Sequence, residues 1–255
     1  MIQPADSTAF TSDDFSDIYP VGIERHYWTL ARNHIILGEV RRLLASSAAD
    51  EPRVVLDVGC GTGVVTAFLR THKLDCWGCD LGIAPPVDTQ IAPYLMHGTD
   101  ASQLPAALRH SVRLVLLLDV LEHLEQPHEM LATIHKAFPA LESILFTVPA
   151  RQDLFSNYDV RNRHYRRYDR SNIATLNTPG CFLLERWSYF FHGLYVPARL
   201  LKLFGVDRHT EIHAPGTLLA RSAHALLANG FIVEEKLLPG GWPGSSIRGV
   251  LRRLS

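Results

Sequence analysis

Apolar residues in this chain change their spacing several times, and each change marks an element. From about 23 to 44 they recur at helical intervals, with Trp28, Ile35, Ile36, Val40, Leu43 and Leu44 on one side. Residues 54–58 are a short, continuous, β-branched run, as in a buried strand; Val64, Val65, Phe68 and Leu69 then return to helical spacing. A second strand is expected over 74–79, ending at Asp80, and a weak third over 94–97. The continuous run 114–118 suits the centre of a parallel sheet, and 144–148 forms a fifth strand closed by Pro149. Between them, 84–93 is broken by prolines, so any helix there is short, whereas 129–138 carries a full one. Strand and helix alternating from 54 to 148 predict an α/β three-layer sandwich whose mostly parallel, Rossmann-like sheet binds ligands at its strand carboxyl ends.

The second half is less regular. Asp169, Arg170, Ser171 and Asn172 can start a helix ending near Pro179 and Gly180, and 182–189 reads as strand six. The stretch 190–204 is strongly apolar, with Arg199 and Lys202 as its only arginine and lysine. It is either a core or lid segment walling a pocket or an interfacial helix that contacts a membrane peripherally. A helix over 218–227 is stopped by Asn229 and Gly230. Residues 231–236 read as a strand, so the last strand of the sheet is either 231–237 or 246–251. Residues 1–20 are a polar, flexible tail, 46–52 a loop, and 21–255 one domain, with a ligand-binding core at about 50–150 and a cap at about 150–230.

Composition narrows the classes of function. At 255 residues with 47% hydrophobic content the chain can bury a real core, and a net charge of −1 gives no global field for nucleic acid. No apolar run is long enough for a membrane span and no signal peptide is evident, so a cytoplasmic location is expected. Four cysteines do not make a disulfide framework. Cys76 and Cys79 lie three apart on one strand and so face opposite sides of the sheet. The histidines show no ligand spacing, so no metal is expected.

The chemistry concentrates where the first strand ends: Asp57-Val58-Gly59-Cys60-Gly61-Thr62-Gly63. A dinucleotide fingerprint would place glycines at 59, 61 and 64, but 64 is valine, and no Gly-Lys-Ser/Thr follows to make a Walker loop. Asp57 beside the turn would repel a pyrophosphate and suits a ligand carrying ammonium or sulfonium. The stretch resembles motif I of the class I S-adenosylmethionine (SAM) methyltransferases. Asp80 is similar to the acid of their second motif, and Asp119-Val120-Leu121-Glu122-His123-Leu124 to the fourth motif of the small-molecule (type 11/23-like) branch.

The resemblance covers about 23–190 and implies a seven-stranded sheet with an antiparallel last strand, SAM as cofactor, and direct methyl transfer to an O, N or C nucleophile. It further implies a cofactor site of Asp57, Gly59, Cys60, Gly61, Asp80 and Leu81, with Asp100 and Ala101 at the adenine and Asp119 and Val120 lining the SAM end of the pocket. Arg32, in the N-terminal arm, is the implied partner of the cofactor carboxylate. A nicotinamide oxidoreductase or a non-catalytic SAM-binding protein are the alternatives.

On the acceptor side, His123 is a general-base candidate because imidazole titrates near working pH. Residues 161–170 hold five arginines against one acid, interleaved with His164, Tyr165 and Tyr168. One reading gives Arg166 and Arg167 to an acidic acceptor, with His164 or Tyr168 activating it. The other is a solvated basic loop closing on Asp153, Asp159 and Asp169. No basic stripe continues beyond the loop, which disfavours nucleic acid and leaves a small, acidic or lipid-linked acceptor as the expectation. The oligomeric state is left open.

Overall fold

The strand at 54–58 is buried at every position, and the rest of the architecture is layered on it. The structure is a computed structural model that describes residues 20–45, 53–207 and 212–254. The expected loop at 46–52 and all of the expected tail except Pro20 lie outside the described residues. Helix α1 (Tyr27–Ala45) precedes β1 (Val54–Val58), α2 (Val64–Thr71), β2 (Cys76–Asp80) and β3 (Leu95–His97). Then come α3 (Ala106–Ser111), β4 (Val112–Leu118), α4 (Pro127–Ala137), β5 (Ser143–Pro149), α5 (Asn157–Arg161) and β6 (Phe182–Phe190). Helices α6 (His192–Leu203) and α7 (Leu218–Leu237) and strand β7 (Ser246–Arg253) complete the chain.

The seven strands form one sheet in the order β3-β2-β1-β4-β5-β7-β6. Strands β1 to β5 pair in parallel, while β7 runs antiparallel between β5 and β6, in line with the seven-stranded expectation. Strand order reverses direction between β1 and β4, the place in an open α/β sheet where a crevice forms at the carboxyl ends.

The period of two along each strand divides the core. Leu56, Val115, Ile144 and Phe146 face α4 with its Leu131 and Ile134, whereas Val55, Leu114, Leu116 and Leu145 face Ile36, Val40 and Leu43 of α1 and Leu69 of α2. Cys79 sits in the first cluster and Cys76 in the second, on opposite faces as their spacing requires. Phe146 is opposite Gly249 of β7, and a Cβ there would overlap the Phe146 ring, so the smallest residue lies across from one of the largest.

Three sequence expectations are corrected. Residues 231–236 belong to α7, not to a strand, and β7 is therefore the 246–253 segment. Asn229 and Gly230 do not stop the helix, because Ala228 and Phe231 on either side of them pack with Phe190 and Phe191 in a small third core. That burial outweighs the cost of about 1 kcal/mol for glycine inside a helix. After Asp169 the chain makes only a short 3-10 turn, Ile173–Leu176.

Candidate functional site

The turn after β1 takes left-handed backbone at Gly59, Gly61 and Gly63 (φ +78°, +52° and +78°), which glycine adopts without steric penalty. A Cβ on Gly59 would come within 2.8 Å of Val120 Cγ2, so the bare backbone keeps a cradle open there. The turn is pinned to β2: the amides of Gly59 and Cys60 donate to the Cys79 carbonyl at 2.8 and 3.1 Å. Asp80, at the end of β2, accepts the Gly61 amide on one carboxylate oxygen and the Gly82 amide on the other, each at 2.8 Å. His97 closes the far side, its Nε2 lying 2.8 Å from the Gly61 carbonyl oxygen.

Asp57 lies beneath this turn, buried, with the Thr66 hydroxyl donating to it at 3.2 Å. Burial pushes its carboxyl up to about 7, against the opposing pull of Arg32 and Thr66, and Asp80 adds to the rise. In the unfolded chain an aspartate ionises near pH 4, so between about pH 4 and 7 the folded state holds a proton that the unfolded state has lost. Stability from this group therefore falls as pH rises through that window. Asp57→Asn removes the penalty: its stability relative to the unsubstituted chain should climb from pH 4 to pH 7 by on the order of 2–4 kcal/mol. Thermal melts of both proteins across that range, without cofactor, check this; a flat difference would mean that Asp57 ionises normally.

A cleft of about 800 Å³ runs from this turn along the carboxyl ends of β1, β2 and β4. Arg32, Asp57, Gly59, Cys60, Asp80, Leu81, Asp100, Ala101, Asp119 and Val120 all line it, so the residues assigned to the cofactor from sequence are brought together. Gly61 is not among the lining residues and contributes through its bond to Asp80. Asp100 caps the short turn Ala101–Gln103, its Oδ1 accepting the amide and hydroxyl of Ser102 at 2.8 and 2.6 Å. Asp119 is held in left-handed backbone (φ +58°), accepts from the Thr147 hydroxyl at 3.1 Å, and pairs with Arg32 at 2.8 Å. Arg32, expected as a free partner for a ligand carboxylate, thus has its charge compensated by Asp119 while its guanidinium lies 4.9 Å from the centre of the Trp28 ring.

The other end of the cleft is built from the turn after β4 and the loop after β5. Glu122, His123, Tyr158, Asn162, His164 and Arg167 line it. His164 Nδ1 lies 2.9 Å from Asp159 Oδ1, the same oxygen that accepts Arg167 Nε at 2.8 Å, and the Ser156 amide donates to Asp159 Oδ2 at 2.9 Å. Burial alone would raise the Asp159 carboxyl. The bond to His164, the charge and bond of Arg167 and the Ser156 amide outweigh it and hold the group at about 2. His123 meets the His164 ring edge-on at 4.7 Å, and burial together with that neighbour lowers it to about 4, leaving it neutral at physiological pH. Glu122 is wholly buried, and burial with the nearby Asp119 charge pushes its carboxyl well above the usual range.

Three residues expected at the acceptor have other tasks. Tyr168 is fully buried in the core beneath the site, its hydroxyl donating to the Leu121 carbonyl at 3.4 Å; burial raises the phenol to about 12, and it does not line the cleft. Arg166 lies outside the cleft and donates to the carbonyls of Leu124 and Glu125 at 3.3 and 2.6 Å. Arg167 reaches the cleft wall but is committed to Asp159 and to the Ala150 carbonyl at 3.1 Å. The arginine loop does close on an acid, as its alternative reading held, but that acid is buried rather than solvated.

Helices from distant parts of the chain roof the cleft. Tyr27 and Trp28 of α1 and Leu194, Pro197, Ala198 and Leu201 of α6 line it, so the apolar 190–204 stretch has an inner face on the pocket, as a lid does. Its outer face exposes Val196, Leu200, Leu203 and Phe204. Among the described residues no helix is long and apolar enough to cross a membrane. The Tyr27 amide donates to His224 Nδ1 of α7 at 3.1 Å and the Tyr27 ring stacks on Phe231 at 5.9 Å, which ties the amino-terminal wall to the carboxyl-terminal helix.

A family model described as a methyltransferase domain matches residues 27–179, more than half of the chain. No curated protein matches. Among solved structures the chain is similar to a SAM-dependent methyltransferase from Archaeoglobus fulgidus, with 15% identity, 86% of this chain and 94% of that one covered, and a TM-score of 0.43. It is also similar to the magnesium protoporphyrin IX methyltransferase from Synechocystis PCC 6803 with bound S-adenosylhomocysteine, at 17% identity, 62% and 77% coverage and a TM-score of 0.42. With the matched region spanning the glycine cradle, Asp80, Asp119 and the Glu122–His164 end of the cleft, the chain belongs to the methyltransferase-domain family and is a SAM-dependent methyltransferase.

Proposed function

We propose that the protein methylates a small molecule held between the glycine cradle and the His123–His164 end of the cleft. The observation that carries this reading is the continuity of the roughly 800 Å³ cleft, which has the size of a small-molecule site and a helical roof. Donor and acceptor fit end to end in such a space, which supplies the alignment that methyl transfer chiefly needs.

The residues present suit the cofactor. Gly59 leaves a cradle that a Cβ would fill, and the carboxylates Asp57 and Asp80 favour a cationic, hydroxyl-bearing ligand over a pyrophosphate, which weighs against the nicotinamide alternative. In this reading Asp80, Leu81, Asp100 and Ala101 hold the adenosine half, and Asp57, Arg32, Asp119 and Val120 the methionine half. When bound, SAM supplies a methyl group made electrophilic by its sulfonium. The chain aligns the acceptor, excludes water beneath α1 and α6, and offers the His164 imidazole, backed by Asp159, to take a proton from the acceptor where one must leave, burial having made His123 the weaker base.

The charges on the wall bear on the acceptor. Asp80, Asp100 and Asp119 line the cleft beside Asp57 and Glu122, whose burial favours their neutral forms, and among the described residues its arginines, Arg32 and Arg167, are each paired with a carboxylate. This balance favours a neutral or cationic acceptor whose apolar body lies against Leu194, Pro197 and Leu201, in place of the acidic one expected from the arginine loop. Incubating the protein with methyl-labelled SAM and a cell extract, separated by ultrafiltration into small-molecule and macromolecular fractions, tests the reading. Label is expected in the small-molecule fraction, and label confined to RNA or protein would overturn it.

A further inference from the structure

We propose that Glu122, His123 and His164 form a binding site for one first-row divalent cation at the acceptor end of the cleft. One ligand atom from each of these side chains lies within 4.8 Å of the other two. Donor atoms on a common tetrahedral ion at about 2.0–2.2 Å stand about 3.3–3.6 Å apart, so side-chain adjustments of about 1 Å close the set.

Three further observations point to an ion. Glu122 is completely buried, reaches the cleft wall, and among the described residues neither of its carboxylate oxygens has a hydrogen-bond partner in another residue. A buried polar group without a partner is uncommon and costly, and a proton alone would answer for one oxygen and leave a hydroxyl with nothing to donate to. Second, both imidazoles are already oriented from behind: His164 by Asp159 through Nδ1, and His123 by a bond to the Asn162 backbone. A carboxylate or carbonyl holding the rear nitrogen is how ligating histidines are commonly fixed. Third, all three residues face a cleft with room for water or an acceptor oxygen beside the ion. Two imidazoles with one carboxylate favour manganese, iron, cobalt or zinc over magnesium or calcium, which prefer oxygen alone.

The set escapes a search for ligand spacing because His164 lies some forty positions beyond Glu122 and His123, and only the docking of the loop after β5 onto the turn after β4 unites them. In the methyl-transfer reading the ion would bind the acceptor's nucleophilic oxygen and lower its pKa, a task otherwise left to the imidazoles. That role rests on the proposed function; the site itself does not.

The test uses the tag-free full chain, stripped with a chelator and titrated with Co²⁺ in the absence of cofactor and acceptor, followed by calorimetry and visible absorption. Saturable binding of one Co²⁺ per chain is expected, with ligand-field bands that Zn²⁺ abolishes by displacement. Glu122→Gln and His123→Asn should each weaken Co²⁺ binding at least tenfold, with folding of both verified by circular dichroism. Absence of saturable binding to the unsubstituted chain, or unchanged affinity in whichever variant is folded, would overturn the proposal. Since neither SAM nor an acceptor is present, a negative result leaves the methyl-transfer reading to its own labelling experiment.

Discussion

Asp159→Ala should lower folding stability at pH 7 by about 3–5 kcal/mol, the range for breaking a buried ion pair by removing one partner. For a domain of this size that corresponds to a fall in Tm of roughly 10 °C. The carboxylate is buried and answers to three groups, so its loss strands the Arg167 guanidinium in the interior, leaves His164 without its rear partner, and frees the Ser156 amide. The folded-state pKa is depressed to about 2, below the unfolded value near 4. The stabilisation is therefore fully present above about pH 4 and is lost as pH falls through the folded value. Urea unfolding at pH 7 and at pH 3 measures both parts: a large difference between the proteins at neutral pH that narrows in acid. A loss below about 1 kcal/mol at pH 7, the value typical of exposed pairs, would show that solvent screens the cluster after all.

Asp80→Ala is expected to weaken SAM binding at least tenfold, about 1.4 kcal/mol, in calorimetric titration. The substitution acts twice. It removes the acceptor that holds the Gly61 and Gly82 amides on either side of the glycine cradle, and, in the proposed reading, the carboxylate that would accept the ribose hydroxyls. Asp80→Asn, which keeps one acceptor oxygen, should fall between the two. An unchanged Kd for the alanine variant would mean that the turn is held by its backbone bonds to Cys79 alone and that the ribose finds its partners elsewhere.

Much of the cofactor half was legible because its information is local. The continuous apolar runs at β1 and β4, the three glycines and the acids at strand ends all act within a few residues of one another, and the sheet brings them together at its switch point. The acceptor half depends on contacts between distant segments. Nothing near Arg167 in sequence says that it faces inward; its partner Asp159 is eight positions away, on the first turn of α5, and is buried through a capping box with Ser156. Ser156 and Asp159 three apart were a usable sign of that cap. Composition at 161–170 says only that five arginines are gathered there; that Arg166 is bonded to backbone carbonyls and Arg167 to a buried acid is decided by the tertiary structure. Gly230 misled, since glycine halts a helix only where tertiary packing does not carry the helix through.

The bond between Tyr27 and His224 joins positions 197 residues apart: Tyr27, on α1, lines the cleft, and His224, on α7, stands behind it. One wall of the cleft is thus braced by a segment far away in sequence instead of by its own neighbours. Local opening of the α1–α7 seam would loosen the Tyr27 wall of the cleft without touching its floor. Substitutions in that seam, far from any reacting atom, can alter how long product stays without altering how fast it forms.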